Sequence, residues 1–233
     1  MAVMNIAISG YTAAGKTTHA RLLAEALEYD LVWAAGLLLR RLGFDLDQED
    51  ESSLWFHRYA EIGARRDGTG IDAEIDAGMV ERVRTGDRTV FDARYLPWAA
   101  PPSAPLVRVW LESDLPSRAR KCHVSLGDDA PGVLECAAHV HAKDATDVVR
   151  IANTFGTVFG PDENLFDVVL DNSGFLPHAT AACARRGVAD FSRYLHAALR
   201  AVGGRTDRLE MLRSADPDEF RRVVRFVRGV PLH

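Results

Sequence analysis

The chain of 233 residues has no long apolar run, few cysteines and no excess of positive charge. No stretch approaches the roughly 20 apolar residues that span a bilayer, so we expect no membrane segment. A net charge of -5 disfavours binding to a nucleic-acid polymer or to an anionic membrane. Three cysteines cannot all pair, which favours free thiols in a reducing compartment, and we therefore expect a cytoplasmic protein.

One motif stands directly after the N-terminal apolar run. Gly10 to Thr17 read G-Y-T-A-A-G-K-T, which matches the pattern G-x-x-x-x-G-K-[ST]. Its glycines let backbone N–H groups curl around a phosphate at the N-terminus of the following helix. Lys16 can span the β- and γ-phosphates, and Thr17 can bind Mg²⁺. The sequence therefore predicts ATP and Mg²⁺ as cofactors, with the nucleotide held by Gly10, Ala13, Ala14, Gly15, Lys16, Thr17 and Thr18.

Short apolar runs recur along the chain and alternate with segments of helical periodicity. This alternation predicts a three-layer α/β fold with a five-stranded parallel sheet, the architecture of P-loop NTPases. Helices are expected over 16–28, 52–66, 71–84, 115–124, 130–155 and 177–202. Gly203-Gly204 suggests a boundary between a domain of residues 1–202 and a C-terminal extension, 203–233. Asp216 caps a short predicted helix, Glu219–Arg228, whose apolar stripe we expect to dock on the body of the same chain.

The segments after the motif follow a recognisable order. A small-residue turn and helix, Ala35 to Arg40, follow the second predicted strand, and a paired-acid segment, Ile71 to Asp76, precedes the third. The third strand ends in Asp92-Ala93-Arg94, with Trp98 close behind, and Phe166 to Ser173 form the last predicted strand and its loop. In these features the chain resembles the cytidylate-kinase-like group of nucleoside monophosphate kinases, particularly its short, archaeal-type members.

The resemblance implies an acceptor-binding insertion at about 36–85 and a lid at about 118–153. It implies that Arg40 and Arg94 hold the acceptor, that Ser173 borders the adenine, and that Arg118, Lys143 and Arg150 contribute charge. Further acceptor contacts are expected from Gly36, Asp72, Asp76, Asp92 and Trp98. Asp92 at a strand end beside the motif can also support hydrated Mg²⁺ with Thr17. The implied substrate is a small-molecule nucleotide, CMP, dCMP or a modified cytidylate, and the implied assembly is a monomer or homodimer.

Two departures leave other functions open. Trp33-Ala34-Ala35 stands where relatives often place a hydroxyl residue, and Ala93 replaces a glycine. A small-molecule or nucleoside kinase is one alternative; its hydroxyl acceptor would need a carboxylate base, from Asp72, Asp76 or Asp92. A nucleotide-binding regulatory protein without turnover is the other.

Two further patterns are interpreted as structural. The lid contains Cys122-His123 and Cys136-x-x-His139-x-His141, but adjacent ligands such as Cys122 and His123 do not easily bind one zinc ion, so we expect unrelated residues on helices. Arg65-Arg66 is expected to be a solvated helix face.

Overall fold

A computed structural model describes residues 4–127 and 130–232, and the predicted ranges that reach residues 1–3, 128–129 and 233 extend outside this part of the chain. The described residues form one six-stranded sheet in the order β2-β3-β1-β4-β5-β6. In chain order the strands are β1 (Asn5–Gly10), β2 (Asp30–Trp33), β3 (Thr89–Asp92), β4 (Leu106–Glu112), β5 (Val168–Asp171) and β6 (Val224–Val227).

The first five strands are parallel, and β1 lies at the centre between β3 and β4. All residues of β1 and β3 are buried, as expected for parallel strands that are covered on both faces of the sheet. From β1 the chain runs to β2 and β3 on one side and then to β4 and β5 on the other. This change of direction opens a crevice at the carboxyl ends of the strands, where open α/β sheets bind ligands.

Helices cover both faces of the sheet. In chain order they are α1 (Lys16–Leu27), α2 (Ala34–Arg41), α3 (Glu51–His57), α4 (Tyr59–Arg66), α5 (Ile71–Thr85), α6 (Leu96–Ala99), α7 (Leu115–Leu126), α8 (Val133–Phe155), α9 (Ala181–Val202), α10 (Asp207–Ala215) and α11 (Pro217–Val223). The core on one face unites α1, α9, α10 and α11 with the sheet, and α5 and α6 pack on the other. Among the described residues, no helix is both long and apolar enough to cross a membrane.

The C-terminal extension corrects two predictions. The predicted helix Glu219–Arg228 ends at Val223, and the next four residues form β6, which pairs antiparallel with β5. The sheet therefore has six strands and is mixed, instead of five and parallel. Val224 and Val227 are buried on this edge strand, and Phe220 fills the core beneath it. The apolar stripe thus docks in cis, as expected, although half of it docks as a strand.

The predicted helix over 52–66 is interrupted. Its two parts, α3 and α4, meet at Arg58, whose backbone is not helical. The guanidinium of Arg58 forms ion pairs with Glu49 and Glu61 across the break, each at 2.7 Å. This interaction holds the bent insertion together on the carboxyl-end side of the sheet.

Candidate active site

The loop after β1 has the strained backbone that its sequence requires. Gly10 has a φ of 147°, and a Cβ there would lie 2.5 Å from the carbonyl oxygen of Leu111. Gly15 has a φ of 90° and caps α1, while Ala13 has a φ of 58°, a value that is rare without glycine. The loop therefore turns its backbone sharply into the N-terminus of α1, the geometry expected of a phosphate cradle.

Lys16 and Thr17 begin α1 and face the crevice. Lys16 Nζ donates to the carbonyl oxygen of Tyr11 at 2.7 Å, and burial together with the nearby Arg94 lowers the pKa of Lys16 to about 7. Thr17 Oγ1 donates to Asp92 Oδ2 at 2.6 Å. Burial raises the pKa of Asp92, although Lys16 opposes the shift. Asp92 thus stands at the end of β3, with its carboxylate against the hydroxyl of Thr17.

One acid of α8 contacts the phosphate loop, and a second contacts Arg94. Asp144 Oδ1 accepts from the backbone N–H of Thr12 at 2.8 Å, and its other oxygen accepts from Arg118 of α7. Arg118 also donates to the carbonyl oxygen of Thr12 at 3.2 Å. One turn along α8, Asp147 pairs with Arg94. The loop is therefore fixed to both predicted lid helices by nearly buried charges.

Two cavities meet at the phosphate loop. The larger has a volume of about 770 Å³ and extends from α9 across the loop to α3. The smaller, of about 190 Å³, lies between α2, α5 and β3. The residues that line both are Thr12, Ala13, Lys16, Thr17, Glu51, Trp55 and Lys143. We call this shared region the junction.

Charged residues of both signs line the smaller cavity. Asp72 Oδ2 accepts from Arg66 Nε at 2.6 Å and from Arg150 Nη1 at 3.2 Å. Burial and the neighbouring Asp72 raise the pKa of Asp76 to about 6. Arg94 lines the same space. Arg66 is only 13% exposed in its side chain, so its assignment to a solvated face was wrong.

The far end of the larger cavity holds a polar network. Asn172 Nδ2 donates to the carbonyl oxygen of Ala14 at 2.8 Å, while its Oδ1 accepts from Lys121. Lys121 Nζ also donates to Ser113 Oγ at 2.8 Å, and burial lowers the pKa of Lys121 to about 7. Phe175 and Leu176 line the cavity wall beside this network. The arrangement offers an apolar slot with convergent polar groups next to the phosphate loop.

Several predicted residues lie apart from the junction. Arg40 is exposed on α2 and lines the larger cavity, whereas Arg94 lines the smaller one. Trp98 packs in an aromatic cluster against Trp110 and lines neither of these two cavities. Ser173 Oγ donates to Asp171 Oδ1 at 2.6 Å and caps the turn after β5, leaving its neighbour Asn172 to face the cavity.

Gly36 of α2 packs closely against Trp33, the residue before this helix. A Cβ at this position would lie 2.1 Å from the ring of Trp33, so only glycine lets the indole lie flat on α2. Trp33 in turn lines the larger cavity. The expected acceptor contact of Gly36 is therefore indirect in the described geometry.

The cysteines and histidines of the lid pack as side chains on adjoining helices. Cys122 and Cys136 are buried together between α7 and α8, and burial raises the pKa of both thiols. His139 instead stacks on Phe56, with ring centroids 4.5 Å apart. Within residues 4–127 and 130–232 no three His, Cys, Asp or Glu side chains group as they would around a metal ion.

No motif in the sequence points to four residues of the site: Glu51, Trp55, Lys121 and Asp144. Glu51 and Trp55 stand in an irregular insertion whose fold depends on tertiary contacts, so no periodicity placed them at the junction. The ammonium of Lys143 lies 3.7 Å from the ring centroid of Trp55, and burial together with Arg94 and Lys16 holds the pKa of Lys143 well below its ordinary value. The available signal for Asp144 was its place at helical spacing after Cys136 and Val140, on the apolar face of α8, because a charge on a buried face needs a partner.

Comparison with known proteins places this chain in a family. No family model matches the chain. A cytidylate kinase from Pyrobaculum aerophilum is 31% identical over 172 residues, covering 72% of this chain and 83% of that protein. One from Methanosarcina barkeri is 25% identical over 175 residues, with coverages of 72% and 87%. Among solved structures, a shikimate kinase from Bacteroides thetaiotaomicron aligns with a TM-score of 0.47 at 14% identity, over 84% of this chain and 99% of that one. With a complete phosphate loop and relatives of this similarity, the chain belongs to the cytidylate kinase family.

Proposed function

We propose that the protein transfers the γ-phosphoryl group of ATP to a cytidylate, CMP or dCMP, in the cytoplasm. The observation that carries this proposal is the meeting of two cavities at Lys16, Thr17 and Lys143. A kinase for nucleotides must hold two phosphorylated substrates whose phosphates touch, and a junction with converging cations meets that need.

On the ATP side, the phosphate loop supplies backbone N–H groups and Lys16 a movable charge. The adenine is assigned to the slot beside Asn172 and Phe175, within the larger cavity. Asn172 bonds to Ala14, so a base in this slot lies next to the loop that holds its phosphates. The size of this cavity, about 770 Å³, is ample for a nucleotide.

On the acceptor side, Arg94 and Lys143 are assigned to the acceptor's phosphate. Both lie where the smaller cavity reaches the junction, and both face Lys16. Asp72 and Asp76 line the far end, where carboxylates can accept hydrogen bonds from a base or sugar. Arg66 and Arg150 orient Asp72 for that contact. The small volume, about 190 Å³, favours a single-ring base over a purine.

The donor set beside the loop fits Mg²⁺. Thr17 offers a hydroxyl oxygen and Asp92 a carboxylate oxygen, both hard ligands, and magnesium commonly uses one or two such groups plus phosphates and water. When bound there, the ion supplies positive charge to the phosphates. The residues that would hold the ion are fixed by the fold: Thr17 lies in the first turn of α1, and Asp92 lies at the end of β3.

The same contacts support the domain roles that we propose. We assign residues 36–85 to acceptor binding and residues 118–153 to a lid over ATP. Asp144 and Asp147 of the lid contact the phosphate loop and Arg94, so lid position and cation position are coupled. Arg118 is assigned to the phosphates through the same loop contact, and Arg150 through the pair with Asp72.

A panel of acceptors tests this proposal. ADP formation is measured with ATP and Mg²⁺ against CMP, dCMP, UMP, AMP, GMP and small hydroxylated acceptors. The Lys16→Ala protein serves as the blank, because it lacks the charge that spans the phosphates. Turnover that is greatest with CMP or dCMP and absent from the blank supports the proposal. Binding of ATP without turnover on any acceptor would instead favour a regulatory protein.

A further inference from the structure

The junction contains a carboxylate for which phosphate transfer to CMP has no use. Glu51 begins α3 and lines both cavities. Its Oε1 accepts a hydrogen bond from Trp33 Nε1 at 3.2 Å. Its other oxygen, Oε2, has no hydrogen-bond partner among the described residues. One face of this carboxylate is therefore anchored, and the other is open to a ligand.

The anchor of Glu51 is itself rigid. Trp33 lies flat against Gly36, where a Cβ would be 2.1 Å from the indole, and the guanidinium of Arg21 covers the ring at 5.1 Å. The indole N–H is therefore aimed by packing on two sides. Because the acceptor atom of this bond belongs to Glu51, the carboxylate keeps a fixed position in the junction.

Two of the other acids around the site already have partners. Asp72 accepts from Arg66 and Arg150, and Asp92 accepts from Thr17. Asp76 lines the smaller cavity but not the larger one, so it stands away from the shared space. Of the carboxylates in the part of the chain that the structure describes, Glu51 is the one that lines the junction.

A phosphate acceptor and a hydroxyl acceptor differ in the protonation of the attacking oxygen. An acceptor phosphate attacks with an oxygen that is already ionised, whereas a hydroxyl group must lose its proton to a base during transfer. We propose that Glu51 is that base, and that the protein has a second activity, ATP-dependent phosphorylation of the 5′-hydroxyl of a pyrimidine nucleoside. The choice of a pyrimidine nucleoside rests on the proposed CMP acceptor, because the same cavity would hold the same base.

The step balances without a further reactant. The bond between the 5′-oxygen and the γ-phosphorus forms while the bond from that phosphorus to the leaving oxygen of ADP breaks. ADP leaves with the electron pair of the broken bond, and the hydroxyl proton moves to Glu51 Oε2. Because Glu51 lines both cavities and its Oε2 has no hydrogen-bond partner among the described residues, this oxygen can accept the proton.

Glu51→Gln is the variant that tests this activity. The amide oxygen can still accept from Trp33, so the wall of the cavity is kept while the base is lost. Glu163→Gln is the matched control, because Glu163 is exposed and lines neither of the two cavities. Labelled phosphate from ATP is followed into cytidine, deoxycytidine and CMP, with all products separated by chromatography. We expect wild type and control to phosphorylate a nucleoside, and Glu51→Gln to lower the rate with cytidine by about 10²-fold or more, at least about tenfold beyond any loss with CMP.

Two results would overturn the inference. The first is the absence of nucleoside phosphorylation by the wild-type protein. The second is an equal loss on cytidine and CMP in Glu51→Gln, which would mean that Glu51 only positions Trp33. Failure of CMP transfer alone would instead remove the proposed function and leave the nucleoside activity standing, so the two claims are separable in one assay.

Discussion

The bridge between Arg118 and Asp144 gives the sharpest prediction about stability. Their side chains are 9% and 10% exposed, and Asp144 also accepts the backbone N–H of Thr12 at 2.8 Å. Asp144→Ala leaves a buried guanidinium without its counter-charge, a change that typically costs about 3–5 kcal/mol. Arg118 keeps its bonds to the carbonyl oxygens of Ser113 and Thr12, which places the expected loss near the lower bound, about 3 kcal/mol.

Urea unfolding measures this loss as the difference in free energy of unfolding between variant and wild type. The matched control is Asp190→Ala, whose exposed pair with Arg193 is worth about 0–1 kcal/mol. The double variant Arg118→Leu with Asp144→Ala removes both charges, and we expect it to recover part of the loss. A change below about 1 kcal/mol in Asp144→Ala, equal to that of the control, would refute the reasoning that a buried charge is left unpaired.

Three further predictions concern the walls of the two cavities. Burial raises the pKa of Glu51 from 4.5 in the unfolded state to about 7 in the folded state. Between these pH values the folded protein binds more protons than the unfolded chain, so the free energy of unfolding falls as the pH rises from 5 to 8. Glu51→Gln should lessen that fall by about 1–3 kcal/mol, measured by urea unfolding at each pH. The same dependence of unfolding free energy on pH in both proteins would contradict this expectation. Arg66→Ala should raise the KM for CMP about tenfold or more, because Asp72 loses its hydrogen bond from Arg66. Arg65→Ala, which lies outside both cavities, should not raise it. Equal effects of the two variants would contradict the assignment of Asp72 to the acceptor. Gly36→Ala should destabilise the protein by about 1–3 kcal/mol, since its Cβ meets the indole at 2.1 Å, and an unchanged melting temperature would disprove this clash.

Local patterns were enough to predict the centre of the fold. The phosphate loop, the five parallel strands and the helix after the loop each depend on residues that are close in sequence, and they occur where expected. Glycine and lysine positions in the loop are dictated by backbone geometry, so the pattern identifies them without tertiary information. Asp92 at the end of β3 was also foreseeable, because carboxyl ends of neighbouring parallel strands share one edge of the sheet.

The remaining features depend on contacts between distant segments. Val224 to Val227 have a helical stripe as well as a strand composition, and only the unpaired edge of β5 selects the strand. In the sequence, Arg66 has the pattern of a surface residue. Its partial burial depends on Asp72 of α5, which accepts a hydrogen bond from it. Glu51 likewise carries no local signal, since its position at the junction depends on the bend at Arg58 and on Trp33. Tertiary pairing overrides local propensity at these points.

In the proposed reaction, the junction brings the γ-phosphate of ATP to the phosphate of a cytidylate. The most direct measurement is the transfer of label from γ-labelled ATP to CMP, with the wild-type protein and Lys16→Ala compared at equal concentration. We expect labelled CDP in amounts equal to the ADP formed by the wild-type protein, and none above background with the variant. Label released only as inorganic phosphate, or no consumption of ATP by a wild-type protein that binds it, would contradict the claim.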